Sequence, residues 1–132
     1  MKSFVLDASL ALEWFTTGAQ PSALAKRSLF EDHVAIVPHL WRFEVTNVLT
    51  TWRRRGDITD AESAVLMRDL MKLPFATVDE GDPEMIVATA LTHGLSAYDA
   101  TYLRIAMLTG SPIATLDKAL MKAATEMGIT LA

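Results

Sequence analysis

The sequence predicts an α/β fold of three layers, α/β/α, in which helices cover both faces of a parallel sheet. Short apolar runs alternate along the chain with longer segments of helical periodicity, and this alternation is typical of parallel sheets. The apolar runs are continuous, as expected of strands that are covered on both faces. The 132 residues carry no linker and no internal repeat, so we expect one domain over 1–132.

Five apolar runs are candidate strands. Each is short and continuously apolar, which favours a buried strand over a half-exposed antiparallel one. They are Ser3 to Leu6, Val34 to Val37, Phe75 to Val78, Pro112 to Thr115 and Ile129 to Leu131.

Capping residues mark the ends of several helices. Thr59 and Glu62 have the spacing of a capping box, which predicts a helix at about Asp60 to Lys72. Two further helices have a polar start and a glycine stop, where a left-handed residue closes the last turn. They run from Asp82 and Pro83 to Gly94, and from about Asp99 to Gly110.

The composition excludes several classes of protein. With 51% hydrophobic and 21% charged residues, the chain is globular and not disordered. It has no cysteine, which excludes disulfides and thiolate zinc sites, and its three histidines lack metal-ligand spacing. No apolar run approaches the roughly 20 residues of a membrane helix, so we expect a soluble, cytoplasmic protein with no membrane contact. The net charge of -4 disfavours a surface that coats nucleic acid indiscriminately.

The segment from His39 to Arg55 is the most informative predicted helix. Its apolar residues recur at helical spacing and define one buried stripe, made of Trp41, Val45, Val48, Leu49 and Trp52. Glu44 lies beside that stripe, where an ionised carboxylate costs several kcal/mol unless it is paired or binds a cation. Three explanations stay open: an ion pair with Arg42 or Arg104, extension into solvent, or a metal ligand.

Three aspartates are predicted to lie near Glu44. Asp7 and Asp117 each follow a predicted strand, and Asp99 stands at the start of a predicted helix. Strand ends and helix starts share the carboxyl edge of a parallel sheet, and Glu44 lies within about 9 Å of that edge. Each aspartate also suits an N-cap, which is its alternative role. Clustered carboxylates repel one another and call for a cation, and oxygen ligands favour Mg²⁺ or Mn²⁺.

The four acidic segments together resemble a known family. They read FVLDASLALEWF around Asp7, PHLWRFEVTNVL around Glu44, LSAYDATYLRIA around Asp99 and IATLDKAL around Asp117. These segments resemble the PIN-domain ribonucleases, and VapC-type toxins of toxin-antitoxin pairs in particular. The resemblance spans almost the entire chain, and four ordered segments are far more specific than a single short motif.

The resemblance implies a PIN-like fold with a five-stranded parallel sheet of order 3-2-1-4-5, in which the ends of strands one and four lie side by side. It also implies which residues form the site. The catalytic and metal-binding acids of the family carry over onto Asp7, Glu44, Asp99 and Asp117, and its accessory hydroxyl positions carry over onto Ser9 and Thr115.

The same resemblance implies a ribonuclease that uses Mg²⁺ or Mn²⁺ to hydrolyse RNA, leaving a 5′ phosphate and a 3′ hydroxyl. Its implied partners are an RNA substrate, a cognate VapB-type antitoxin and a second copy of the chain in a homodimer. Two other functions are alternatives: a catalytically silent PIN-fold binding module, and an aspartate-based phosphohydrolase. The phosphohydrolase is disfavoured because Ser9, two residues after Asp7, stands where that class needs a second acid.

Overall fold

The computed structural model describes residues 2–132, so Met1, the first residue of the predicted domain, lies outside the described residues. A parallel sheet of four strands forms the centre of this part of the chain, in the order β3-β2-β1-β4. The strands are β1 (Lys2–Leu6), β2 (His33–Val37), β3 (Phe75–Thr77) and β4 (Ile113–Ala114).

Helices connect and flank the strands. A short 3₁₀ segment, Lys26–Glu31, leads into β2. The α-helices of the described residues are α1 (Ala8–Glu13), α2 (Pro21–Ala25), α3 (Leu40–Arg55), α4 (Asp60–Met71), α5 (Pro83–His93), α6 (Ala97–Thr109) and α7 (Lys118–Glu126). In residues 2–132, none of these helices is long and apolar enough to span a lipid bilayer.

Strand β1 lies at the centre of the core. Phe4, Val5 and Leu6 are each 0% exposed. Because consecutive side chains of a strand point to opposite faces, both faces of β1 are covered. The predicted α/β class with helices against a parallel sheet is therefore confirmed. At the sheet edge, β3 is less protected, since Ala76 and Thr77 are exposed.

The predicted strand count of five is wrong for the described residues, which form four strands. The region predicted as the fifth strand contributes a single parallel bridge, from Leu131 to Ile113. Ile113 N–H donates to the Thr130 carbonyl at 2.9 Å, and Ala132 N–H donates to the Ile113 carbonyl at 2.8 Å. Because β4 has only two residues, it offers too short an edge for a longer pairing. The order of the first four strands agrees with the prediction.

The predicted capping residues are mostly confirmed. Thr59 and Glu62 form a reciprocal capping box at the start of α4. Gly94 and Gly110, both with a φ of 64°, close α5 and α6. Helix α6, predicted from about Asp99, begins two residues earlier at Ala97, and Ser96 is its N-cap.

Candidate active site

A cavity of about 270 Å³ opens where β1 and β4 end. Asp7, Glu44, Asp99 and Asp117 all line it, and Glu13 adds a fifth carboxyl group. The structure thus brings together the four acids that the sequence places far apart. Their catalytic role stays a prediction.

Asp7 is held by hydrogen bonds from two hydroxyl groups. Its side chain caps α1 by accepting the Ser9 N–H at 3.3 Å. Its Oδ2 atom also accepts from Ser9 Oγ at 2.8 Å and from Thr115 Oγ1 at 2.7 Å. With only 6% of its surface exposed, Asp7 is fixed at the base of the cavity. The capping role and the position in the cavity therefore coexist.

Glu44 extends from the middle of α3 into the same cavity. Val48 and Trp52, one and two turns further along, line the cavity on the same helix face. Burial raises the pKa of the Glu44 carboxyl group, and the charges of Asp7 and Asp99 add to the rise, while a Tyr102 hydrogen bond opposes it. In the part of the chain that the structure describes, no cationic side chain lies within salt-bridge distance of Glu44.

The ion pair of Glu44 with an arginine, one of the three explanations drawn from the sequence, is therefore wrong for residues 2–132. Its donor is a phenol: Tyr102 OH donates to Glu44 Oε1 at 2.6 Å. A neutral donor leaves the negative charge of the carboxylate in place. Extension into solvent does not describe Glu44 either, because the side chain is half-buried and lines the cavity.

Asp99 lies in the first turn of α6 and is not its cap. Ser96 is the N-cap, and its hydroxyl oxygen accepts the Asp99 N–H at 3.1 Å. The capping explanation is therefore wrong for Asp99. Burial raises the pKa of its carboxyl group, and the nearby charges of Asp117 and Asp7 raise it further. Asp99 carries a charge into the cavity that the start of the helix does not require.

Asp117 lines the cavity, and Thr115 lies behind it in hydrogen-bond contact with Asp7. Asp117 caps α7 by accepting the Leu120 N–H at 3.0 Å, so its capping role is confirmed. Asp117 N–H donates to Thr115 Oγ1 at 3.0 Å, and the same hydroxyl donates to Asp7. Thr115 thus connects the segment after β4 to the acid that follows β1.

Tyr102 is the residue of this site that the sequence analysis missed. Its hydroxyl group reaches Glu44 from α6, 58 positions away in the chain. A signal was present, because Tyr102 follows Asp99 by three residues and therefore lies on the same face of the helix. A tyrosine one helical turn after a predicted site acid, as Tyr102 is after Asp99, is therefore a candidate for contact with the site.

The donor chemistry of the cavity fits a divalent cation. Its carboxylates are the hard oxygen ligands that Mg²⁺ and Mn²⁺ prefer. As the side chains stand in residues 2–132, no group of three or more His, Cys, Asp or Glu residues is arranged to hold a metal ion. Two physical causes explain this spacing: like charges repel, and Asp7 and Asp117 are engaged as helix caps. The donors fit a metal, and closing around it requires side-chain movement.

Several known proteins are similar to this chain in sequence or in fold. Ribonuclease VapC3 of Pyrobaculum aerophilum is 29% identical over 119 residues, covering 88% of this chain and 90% of the relative. The crystal structure of PAE2754, also from Pyrobaculum aerophilum, superposes with a TM-score of 0.74 at 20% identity and covers 92% of this chain and 79% of that one.

Two further solved structures share the fold. VapBC2 from Rickettsia felis, bound to a promoter DNA fragment, has a TM-score of 0.69 at 9% identity, with 98% of this chain and 97% of that chain covered. FitAcB from Neisseria gonorrhoeae has a TM-score of 0.70 at 18% identity, with 97% and 95% covered. The family model for the PIN domain matches residues 4–126, and the chain therefore belongs to the PIN domain family.

Proposed function

We propose that this chain is a single-domain endoribonuclease that requires Mg²⁺ or Mn²⁺ and acts in the cytoplasm as the toxin of a toxin-antitoxin pair. The observation that carries the proposal is one cavity lined by Asp7, Glu44, Asp99 and Asp117 at the carboxyl end of the sheet. The match to a relative named as a ribonuclease, over 90% of its length, supports the same activity.

The charge of the cavity supports a metal-dependent reaction. A phosphodiester is anionic, and no Lys, Arg or His is among the described residues that line the cavity. The carboxylates alone would repel RNA. When bound, a divalent cation supplies charge neutralisation of the phosphate and activation of water. The lack of a lining histidine disfavours acid-base catalysis by imidazole, so we expect products with a 5′ phosphate and a 3′ hydroxyl.

The acids of the site differ in their hydrogen bonds and in their pKa values. Ser9 and Thr115 hold the Asp7 carboxylate with two hydroxyl hydrogen bonds. Burial and neighbouring charges raise the pKa values of Glu44 and Asp99, and a bound cation would favour their ionised forms. In this scheme Ser9 and Thr115 keep the Asp7 carboxylate oriented in the cavity, where it would bind the cation.

The activity is tested by incubating the purified chain with total cellular RNA in Mg²⁺, and in parallel with a chelator. We expect cleavage only with Mg²⁺, recovery when Mg²⁺ is added back, and fragments that accept ligation through a 5′ phosphate and a 3′ hydroxyl. Asp7→Asn and Glu44→Gln, checked for folding by circular dichroism, should not cut. Cleavage that continues in the chelator, or variants that cut at the wild-type rate, would refute the proposal.

The partners are proposed on the resemblance to VapC-type toxins and on the match to VapC3 and VapBC2. We expect a homodimer, a VapB-type antitoxin that covers the acidic cavity, and arrest of bacterial growth when the chain is expressed without it. Light scattering should give twice the chain mass of 14.5 kDa. Growth arrest should disappear with Glu44→Gln, and arrest by that variant would argue against an RNA-cleaving toxin.

A silent binding module with the PIN fold is the second candidate. It is favoured by one observation, namely that no three acids among residues 2–132 are already arranged around a metal position. The chelator experiment separates the two functions, because a binding module would leave RNA intact in Mg²⁺. The aspartate-based phosphohydrolase gains no support, since Ser9 occupies the second acid position and binds Asp7.

A further inference from the structure

The hydroxyl group of Tyr102 connects three separate segments of the chain. The residue is 0% exposed and its ring belongs to the hydrophobic core. Its OH donates to Glu44 Oε1 on α3 at 2.6 Å, and its oxygen accepts the N–H of Ala8, next to Asp7, at 3.4 Å. The hydroxyl therefore lies at the boundary where the core meets the acid cavity.

Glu44 accepts its hydrogen bond from a side chain of another helix and not from the backbone of its own helix. Asp7 and Asp117 accept N–H groups of the helices that they cap. Glu44 stands in the middle of α3, and in the part of the chain described here Tyr102 is the donor recorded for its carboxylate. Without that bond, the charges of Asp7 and Asp99 would repel a long, flexible side chain with no remaining protein donor.

The direction of the hydrogen bond is fixed by chemistry. A tyrosine hydroxyl carries its proton at neutral pH and a carboxylate has none to give, so Tyr102 is the donor and Glu44 the acceptor. A protonated phenol that donates to Oε1 leaves Oε2 without a hydrogen bond from any of residues 2–132. The contact therefore orients the carboxylate and leaves its negative charge in place. An arginine in the same position would neutralise that charge.

From this geometry, and resting on the proposed metal-dependent activity, we propose that Tyr102 is a positioning residue: its hydroxyl group keeps the Glu44 carboxylate in the acid cavity, where it is available to bind the cation. Partners of this kind, which orient a metal ligand without touching the metal, are typically worth 10 to 100-fold in metal affinity. The ring of Tyr102 supplies packing, and its oxygen supplies the orientation of the ligand.

The test compares two tyrosine-to-phenylalanine substitutions on one helix. Tyr102→Phe removes only the buried hydroxyl, and Tyr98→Phe removes the same atom from a residue that is 68% exposed. Calorimetric titration of the metal-free proteins with Mn²⁺, in the absence of RNA, should show affinity about 10 to 100-fold weaker for Tyr102→Phe. Tyr98→Phe should bind Mn²⁺ as the wild type does. Equal affinity of Tyr102→Phe and the wild type would overturn the proposal.

A crystal structure of Tyr102→Phe separates positioning from a general loss of structure. We expect the Glu44 carboxylate to leave its wild-type position while the backbone of α3 and the ring at position 102 stay in place. An unmoved Glu44, or a shifted α3 backbone, would contradict the positioning role. Urea unfolding of each variant establishes that the protein titrated is folded.

The two proposals fail in different ways. If the wild type binds Mn²⁺ and does not cut RNA, the ribonuclease proposal fails and the effect of Tyr102 on Mn²⁺ affinity still decides its own proposal. If the wild type cuts RNA and Tyr102→Phe binds Mn²⁺ normally, only the role of Tyr102 is refuted.

Discussion

The two ends of β1 and β4 carry cavities of similar size and opposite chemistry. At the carboxyl end, a cavity of about 270 Å³ holds Asp7, Glu44, Asp99 and Asp117. At the amino end, a cavity of about 250 Å³ has no ionisable side chain among its described lining residues. Polar groups beside this second cavity satisfy one another: Ser111 Oγ lies 2.6 Å from Ser3 Oγ and 2.8 Å from Thr109 Oγ1.

The difference teaches what the fold requires and what it only tolerates. Neutral hydroxyl groups suffice at the amino end, and a serine or asparagine would cap α1 and α7 as well as aspartate does. At the carboxyl end, burial raises the pKa values of Glu44 and Asp99, and the charges of neighbouring carboxylates raise them further. Glu44 and Asp99 cap no helix, and their raised pKa values show that their charges are unfavourable in the fold, which supports the proposed function at that end.

The largest expected effect that separates the two ends comes from Asp99→Asn. Since Ser96 caps α6, the substitution leaves the helix start intact and removes one half-buried charge. RNA cleavage should fall by at least about 100-fold, the upper range for losing a partner of a metal site. The free energy of unfolding should stay the same or rise. Cleavage assays and urea unfolding measure the two quantities.

Asp69→Asn is the matched control, because Asp69 lies on α4 beside Arg68 and does not line the cavity. It should leave both cleavage and stability close to the wild type. If Asp99→Asn strongly destabilised the protein, the acids would be structural and the contrast between the two ends would fail.

The next effect is stabilisation by the metal. A ligand that binds only the folded state at 100 times its dissociation constant adds about 2.7 kcal/mol to the free energy of unfolding. We expect Mn²⁺ to give this gain in the wild type and little of it in Asp7→Asn, measured by urea unfolding. An equal gain in both proteins would place the metal outside the acid cavity.

At the amino end, a substitution should lower stability and leave activity unchanged, the reverse of the effect expected for Asp99→Asn. Ser111→Ala removes a hydroxyl that is hydrogen-bonded to Ser3 and Thr109, which should lower the free energy of unfolding by about 1 to 2 kcal/mol. Cleavage of RNA by the folded variant should be unchanged. A large loss of activity would show that the neutral end also serves the reaction.

The smallest expected effect is a pH dependence of stability. Burial, with added repulsion from neighbouring acids, raises the pKa of Glu44 and Asp99 above their ordinary values of 4.5 and 3.8. A carboxyl group with a higher pKa in the folded state binds its proton more tightly there. Its contribution is therefore more favourable at low pH and is lost as the pH rises from the ordinary pKa to the folded one.

We therefore compare the metal-free wild type with Glu44→Gln/Asp99→Asn by urea unfolding at several pH values. The wild type should lose more stability than the double variant as the pH rises through that interval. Glu62 and Glu80, whose pKa values are lowered, contribute the opposite slope in both proteins and cancel in the difference. Identical pH dependences of the free energy of unfolding in the two proteins would mean that the charges of Glu44 and Asp99 do not destabilise the fold.

Much of the site was predictable because its signals are local. Asp7 and Asp117 follow apolar strands, and the parallel topology then places both at one edge. Glu44 was identifiable as a carboxylate beside an apolar stripe. The start of α6 was placed too late because Ser96, three residues before Asp99, has the spacing of an N-cap and was overlooked.

The remaining features depend on distances that no local pattern encodes. Which donor satisfies Glu44 is decided by the packing of α6 against the rest of the core, which brings Tyr102 and not Arg104 to its carboxylate. The predicted fifth strand forms only one bridge, because its partner β4 has only two residues. The length of a strand pairing depends on both partners, and the apolar run at Ile129 to Leu131 gives no information about the length of β4.

Anomalous diffraction from crystals soaked in Mn²⁺ tests the central claim most directly. We predict a peak in the acid cavity within about 2.5 Å of an Asp7 oxygen and of an oxygen from at least one of Glu44, Asp99 and Asp117. A protein that cuts RNA in Mn²⁺ and shows no peak between these carboxylates at saturating metal would contradict the account.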